Sequence, residues 1–167
     1  DAQISLRALS DAADLAHLEN FYEQSEGPAY GFLQSLQDQP HCRAWYLLKD
    51  KQPVAAIWYQ WEAERAEVID LRVLASERRQ GLGRQLLRAS LTALGDVGAV
   101  ELEVRSSNVA ARTLYESLGF SETGSRPNYH ATANRWTHTP SVPRWRGSIK
   151  TCLIRWEIST SILAILR

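Results

Sequence analysis

The chain has 167 residues, enough for one domain with a substantial core, and its 44% hydrophobic content with six Trp excludes a disordered polypeptide. Net charge is zero but unevenly placed: from Arg126 onward seven basic residues face one acid, Glu157, leaving twelve bases and eighteen acids before it. No apolar run approaches the ~18 residues of a membrane span, and the sequence shows no signal-peptide pattern, so none is expected. Cys42 and Cys152 have neither metal-site nor disulfide-framework spacing, so a reducing, cytoplasmic location is expected and no metal site is. The sequence starts at Asp1 and contains no Met, so the natural N-terminus is expected to lie outside it.

Residues 4–9 alternate apolar and polar, as a short strand does. Ser10 and Asp11 then supply capping oxygens for a helix carrying Leu15, Leu18 and Tyr22. Gly27-Pro28 breaks it, and residues 30–36 suggest a second short helix. Two apolar strands, around 43–48 and 54–61, are joined as a hairpin by Lys49-Asp50-Lys51-Gln52. A third strand, 67–74, runs into an Arg/Gly segment. Leu82, Leu86, Ala89, Ala93 and Leu94 then define a helix face closed by Gly95. Residues 100–105 alternate strictly. Ser106-Ser107-Asn108 offers an N-cap for a helix with Ala111, Leu114 and Leu118, ended by Gly119, and Phe120 starts another strand. The order β-α-α-β-β-β-α-β-α-β reads as α/β, more closely an α+β mixed sheet with helices on both faces.

At the third strand-to-helix junction stands Arg78-Arg79-Gln80-Gly81-Leu82-Gly83-Arg84. Two glycines let backbone approach a ligand closely, and a helix start presents N–H groups and partial positive charge. Four arginines, Arg78, Arg79, Arg84 and Arg88, make the neighbourhood cationic. It is neither a P-loop nor a dinucleotide fingerprint, since GxxxxGK[ST] and a third glycine are both missing. Read alone, the segment supports an anion site or a solvated glycine turn.

On the strand 100–105, Val100, Leu102 and Val104 share one face and Glu101, Glu103 and Arg105 the other. A charged face on a strand flanked by helices suggests a cleft, with an ion pair between Glu103 and a nearby base as the structural alternative. Tyr115 follows Asn108 by two helical turns, on the same helix face. Asn108 suits a cap, and Tyr115 is either core or a functional phenol.

Arg-x-x-Gly-x-Gly at Arg78, Gly81 and Gly83 resembles the acetyl-CoA motif of the GNAT superfamily. The longer stretch Glu103-Val104-Arg105-Ser106-Ser107-Asn108-Val109-Ala110-Ala111, followed by Leu114-Tyr115-Glu116-Ser117-Leu118-Gly119-Phe120, resembles the RimI-type ribosomal-protein alanine N-acetyltransferases. With Arg126-Pro127-Asn128-Tyr129, that resemblance covers about residues 68–129. It implies the GNAT acyl-CoA N-acyltransferase fold, a mixed, mostly antiparallel sheet flanked by helices. It also implies acetyl-CoA as co-substrate and the N-terminal alanine of a small-subunit ribosomal protein as acceptor. By the same resemblance Glu103 is the proton acceptor and Tyr115 the proton donor. Asn108 contacts the cofactor, Leu71, Arg72 and Val73 offer backbone to its pantetheine arm, and residues 78–84 cradle its pyrophosphate. The strands carrying Val73 and Glu103 are expected to part around it. Two further readings stay open: another amine as acceptor (a lysine, an amino acid or a drug), and a non-catalytic acetyl-CoA-binding module.

The resemblance stops near Thr132, dividing the chain into a domain at 1–132 and an atypical basic tail at 133–167. His130 stands where the family has a second Tyr, and three of the six Trp follow Thr132. Residues 127–143 show little periodicity, while 148–158 alternate loosely and suggest a last strand. A reading-frame change near Thr132 is one origin for this ending. The rival is a basic arm in which Arg135, Trp136, Arg144, Trp145 and Arg146 contact RNA.

Overall fold

A computed structural model describes residues 2–9, 17–37, 39–95, 97–127 and 132–138. Its elements in chain order are β1 (Ile4–Ala8), α1 (Leu18–Gln24), α2 (Tyr30–Gln37), β2 (Cys42–Lys49), β3 (Gln52–Glu62), β4 (Arg65–Val73), α3 (Leu82–Leu94), β5 (Ala99–Arg105), α4 (Val109–Ser117), β6 (Ser121–Pro127) and β7 (Thr132–His138), with a 3-10 turn at Ala75–Glu77. The seven strands form one sheet ordered β1-β2-β3-β4-β5-β7-β6. Every pairing is antiparallel except β4 with β5. This is the mixed sheet with helices on both faces that the element order implied, with the mostly antiparallel pairing that the resemblance implied. Ser10, Asp11 and Leu15 lie outside the described residues, as do Asn128, Tyr129, His130 and residues 139–167, which include the suggested strand at 148–158.

Local chemistry accounts for the elements. Asp50 and Lys51 take φ of +50° and +67°, so β2 and β3 are joined by a two-residue turn with both central residues left-handed, matching strand twist. β2 and β3 are apolar on both faces because both are covered. Trp45, Leu47, Ala55, Ile57 and Tyr59 pack with α3, α4 and the inward face of β5, where Val100, Leu102 and Val104 lie. Ala44, Tyr46, Leu48, Ala56 and Trp58 pack with α1 and α2. Within that second layer Trp58 Nε1 donates to Tyr22 Oη at 2.8 Å and Tyr22 Oη donates to Tyr46 Oη at 2.9 Å, so the buried aromatic hydroxyls are partnered.

Two irregularities shape the middle of the sheet. The register of β3 on β4 shifts between Trp58, opposite Asp70, and Tyr59, opposite Val68, leaving Ile69 as the extra residue of a bulge. The parallel ladder between β4 and β5 covers only Arg65↔Ala99, Ala66↔Val100 and Glu67↔Glu101. Beyond it the two strands run on, to Val73 and Arg105, without pairing to each other, so the expected parting is present. β5 pairs instead with β7 along residues 100–105. The place between β5 and β6 is therefore filled by Thr132–His138, a segment whose composition carries little strand signal. Trp136 and His138 point into the core, whereas Arg135 is exposed.

Candidate active site

The junction after β4 is built from backbone conformation. Arg79 has φ +64° and Gly81, the residue capping α3, has φ +75° in the left-handed region. No side chain caps α3, whose first backbone bond runs from Gln85 N to Gly81 O at 3.0 Å. The N–H groups of Leu82, Gly83 and Arg84 therefore lack helical partners and face outward with the helix dipole behind them. A Cβ at Gly83 would stand 3.5 Å from Val73 Cγ2 and 3.9 Å from Leu114 Cδ2, so β4, α3 and α4 converge there. Arg84 Nη1 donates to Ser117 Oγ at 2.8 Å, tying α3 to α4. Gln80 and Glu77 are both held by Lys49 Nζ, at 3.4 and 2.9 Å, which anchors the loop to the β2–β3 hairpin. Arg78 reaches only the exposed Glu26, at 3.8 Å, a contact worth little. Exposed arginine around the N–H groups of a helix start makes a site for anionic oxygen.

At the parting of β4 and β5, Asn108 caps α4 by accepting a 3.1 Å bond from Ala111 N, so its capping role is realised. Tyr115, on α4, is 9% exposed and packs against Phe120 with ring centroids 5.8 Å apart. Burial first, and the Asp70 carboxylate second, push its phenol up to about 12. Glu103 projects from β5 on the face opposite Val100, Leu102 and Val104. Its Oε1 stands 3.6 Å from Nη2 of Arg135, its cross-strand neighbour on β7, with the two side chains 28% and 53% exposed. The ion-pair alternative for Glu103 thus has a partner in Arg135. The pair is long and half open, a contact worth little by itself. Glu101 on the same face is engaged by Arg65 at 2.7 Å.

Leu71 and Val73 point to the α3 layer. The Arg72 side chain turns the other way and is buried beside Asp70, under the connection between α1 and α2. Burial raises the Asp70 carboxyl above its ordinary value, while the Arg72 guanidinium partly offsets the rise. Neither this pair nor the Lys49 anchor emerged from sequence reasoning. Two opposite charges at i and i+2 within an apolar strand share a face and need partners when buried, and that was the available signal. Among the described residues no group of three or more His, Cys, Asp or Glu is arranged to hold a metal ion, and no helix is long and apolar enough to cross a membrane.

The profile of the acetyltransferase (GNAT) family matches residues 9–120. The [ribosomal protein bS18]-alanine N-acetyltransferase of Salmonella typhimurium is 42% identical over 89 residues, 52% of this chain and 60% of that protein. Its Escherichia coli K12 counterpart is 44% identical over 73 residues, and there the match spans 42% of this chain and 49% of the relative's length. The crystal structure of the ribosomal-protein-S18-alanine N-acetyltransferase from Escherichia coli superposes with TM-score 0.72 at 26% identity, covering 87% of this chain and 99% of that one. The fold extends to more distant proteins, such as the NatC complex bound to Gag peptide and CoA, with TM-score 0.67 at 17% identity over 83% of this chain and 99% of that one.

Proposed function

Because the chain belongs to the GNAT acetyltransferase family, we propose that it transfers acetyl from acetyl-CoA to an amine, the N-terminal alanine of a small-subunit ribosomal protein, in the cytoplasm. One observation carries the reading: the β4–β5 ladder ends at Glu67↔Glu101, so that Glu103 lies two residues beyond it, where the strands no longer pair, while β4 runs on toward a helix start suited to phosphate. The identity of 42% to a bS18-alanine N-acetyltransferase favours a ribosomal-protein N-terminus over other amines.

The geometry supports the following roles. Outward N–H groups at Leu82, Gly83 and Arg84, with Arg78, Arg79 and Gln80 around them, hold the pyrophosphate. The backbone of Leu71, Arg72 and Val73, released from β5, receives the pantetheine arm, and one of its N–H groups meets the thioester oxygen as charge grows there. An α-amine with a reference pKa of about 8 is only about one-tenth neutral at pH 7, so Glu103, directly or through water, raises the reactive fraction by taking its proton. Tyr115 keeps its phenol protonated and donates toward the departing sulfur. Asn108 fixes the first turn of α4 and thereby the height of Tyr115 above the opening.

The test is thiol release from acetyl-CoA with a peptide carrying the bS18 N-terminus, beside lysine peptides, free amino acids and polyamines. Rapid turnover of the bS18 peptide alone, reduced at least about a hundredfold in Glu103→Gln, is expected. Broad use of amines refutes the acceptor. Thermal stabilisation by acetyl-CoA without turnover of any amine refutes the enzyme.

A further inference from the structure

β4 has two faces with two tasks, and the proposed chemistry uses only its backbone. The bulge at Ile69 shifts the alternation, so Ile69 and Asp70 in succession, and then Arg72, lie on the α1–α2 side. There Arg72 forms the centre of a clamp. Its Nε donates to Asp70 Oδ2 at 2.6 Å, Nη1 to Ser25 Oγ at 3.2 Å, and Nη2 to the carbonyl of Pro28 at 2.7 Å. The guanidinium carbon sits 4.8 Å from the centre of the Tyr22 ring. The Arg72 and Asp70 side chains are 2% and 9% exposed.

Apart from the bond to Asp70, each contact reaches the connection between α1 and α2 or the helix leading into it. Ser25 Oγ also donates to Phe21 O at 2.7 Å, closing the last turn of α1. Tyr22 stacks on Tyr30, the first residue of α2, with centroids 4.6 Å apart and planes 5° from parallel. The connection rests directly on the ion pair. A Cβ at Gly27, where φ is +140°, would stand 2.5 Å from Arg72 Nη2 and 2.9 Å from Asp70 Oδ1. A guanidinium with several fixed donors can hold a side-chain hydroxyl, a carbonyl and a carboxylate at once; an ammonium cannot reproduce that fork.

Glu103 projects to this same side of the sheet, since its neighbours Leu102 and Val104 face α3 and α4. An amine approaching Glu103 must therefore come from the side on which residues 25–29 lie. We propose that Arg72, oriented by Asp70, is a positioning residue for the acceptor: it pins residues 25–29 to β4 as the wall past which the amine reaches Glu103. This rests on the proposed acetyl transfer to an amine. Acetyl-CoA meets the backbone and opposite face of β4, so the clamp acts on the acceptor alone.

The experiment compares Arg72→Met, Arg72→Lys, Asp70→Asn and Gly27→Ala with wild type. It measures acceptor KM and kcat, acetyl-CoA affinity by calorimetry, and hydrogen exchange at the amides of residues 25–29. Arg72→Met is expected to raise acceptor KM about tenfold, a loosened-wall effect, with acetyl-CoA affinity held within about twofold and faster exchange confined to the connection. Arg72→Lys recovers only part of the loss. Gly27→Ala removes no charge and crowds the clamp from above, so it moves acceptor KM the same way even if Arg72→Met folds poorly. Faster exchange with unchanged acceptor KM overturns the proposal, as does a parallel loss of acetyl-CoA affinity. If the wild type uses a different amine, the ribosomal acceptor is wrong and the same KM comparison is made with that amine. If it uses none, the enzyme reading fails, and unchanged exchange in Arg72→Met separately overturns the clamp.

Discussion

Replacing Tyr115 by Phe removes one O–H and leaves the ring against Phe120, which makes it a narrow test of the proposed chemistry. The phenol sits at about 12, raised by burial and then by Asp70. Two units above the ordinary value correspond to about 3 kcal/mol in favour of keeping the proton. An ordinary thiol ionises near 8.5, so complete transfer from this phenol to a departing thiolate is uphill by roughly 5 kcal/mol. In the proposed reaction Tyr115 would therefore serve the sulfur as a hydrogen-bond donor rather than as the final source of its proton. A bond to a developing anion is worth about 1.5–3 kcal/mol. The expected cost of Tyr115→Phe is thus about 10- to 150-fold in kcat, with acetyl-CoA affinity nearly unchanged.

The assay is initial-rate thiol release from about pH 6 to 11 for both proteins, at saturating acceptor. No limb belonging to Tyr115 should appear below about pH 11 in the wild type, because the group is still protonated there. A wild-type rate in Tyr115→Phe would refute the assignment. So would an alkaline limb near pH 9–10 that the Phe variant lacks, since the phenol would then ionise at its ordinary value.

Asn108→Ala removes the α4 cap and should cost about 1 kcal/mol, read as a drop in thermal midpoint of roughly 2–4 °C. Asn108→Asp keeps a capping oxygen, so its midpoint without ligand should hold while stabilisation by acetyl-CoA falls. Equal loss in both settings would mean the residue is only a cap. Gly81→Ala meets no atom within 4 Å, so its cost is the left-handed backbone alone, about 1–2 kcal/mol in a denaturant titration, with weaker acetyl-CoA binding if the turn relaxes. An unchanged denaturation midpoint would show that the turn does not need φ of +75°. His138 is buried against Phe120, and burial lowers its pKa below the ordinary 6.5. The fold thus holds it neutral, and the unfolded chain binds its proton first. Its contribution is full above about pH 6.5 and is lost as pH falls toward the lower folded value. Denaturation of His138→Phe between pH 7.5 and 5 should show a shallower acid decline than wild type; parallel curves would refute this.

Much of the architecture was legible because periodicity is strong where burial is regular. The strict alternation at 100–105 gave β5 and both of its faces, and the capping residue Asn108 gave the start of α4. The glycine pair at 81 and 83 marked the helix start after β4. What escaped has physical reasons. β7 reads Thr-Ala-Asn-Arg-Trp-Thr-His, with one large apolar residue; its other deep position is filled by His138, which hydropathy counts as polar. The β4 bulge adds one residue to the count, so alternation carried on from Ala66 and Val68 puts Asp70 and Arg72 together on the wrong face and hides where the pair is buried. The Lys49–Glu77 link spans 28 positions and leaves no local pattern.

The bulge and the short parallel ladder form a single device. A bulge bends its strand and strengthens its twist, and this one starts where the ladder to β5 stops. Had β4 stayed regular, Asp70 and Arg72 would together have faced the α3 layer, an ion pair in an apolar core without the Ser25 and Pro28 oxygens that complete it. With the extra residue the pair faces the α1–α2 side, and Leu71, Arg72 and Val73 lie beyond the last residues that pair with β5. On the proposed reading, the same shift therefore leaves backbone open for one substrate and turns the ion pair toward the wall that meets the other. Sequence changes at Asp70 and Arg72 should alter which amine enters, whereas changes at Val73, which reaches toward Gly83, should alter how acetyl-CoA is held. On the proposed reading the two specificities are carried by alternate side chains of one strand.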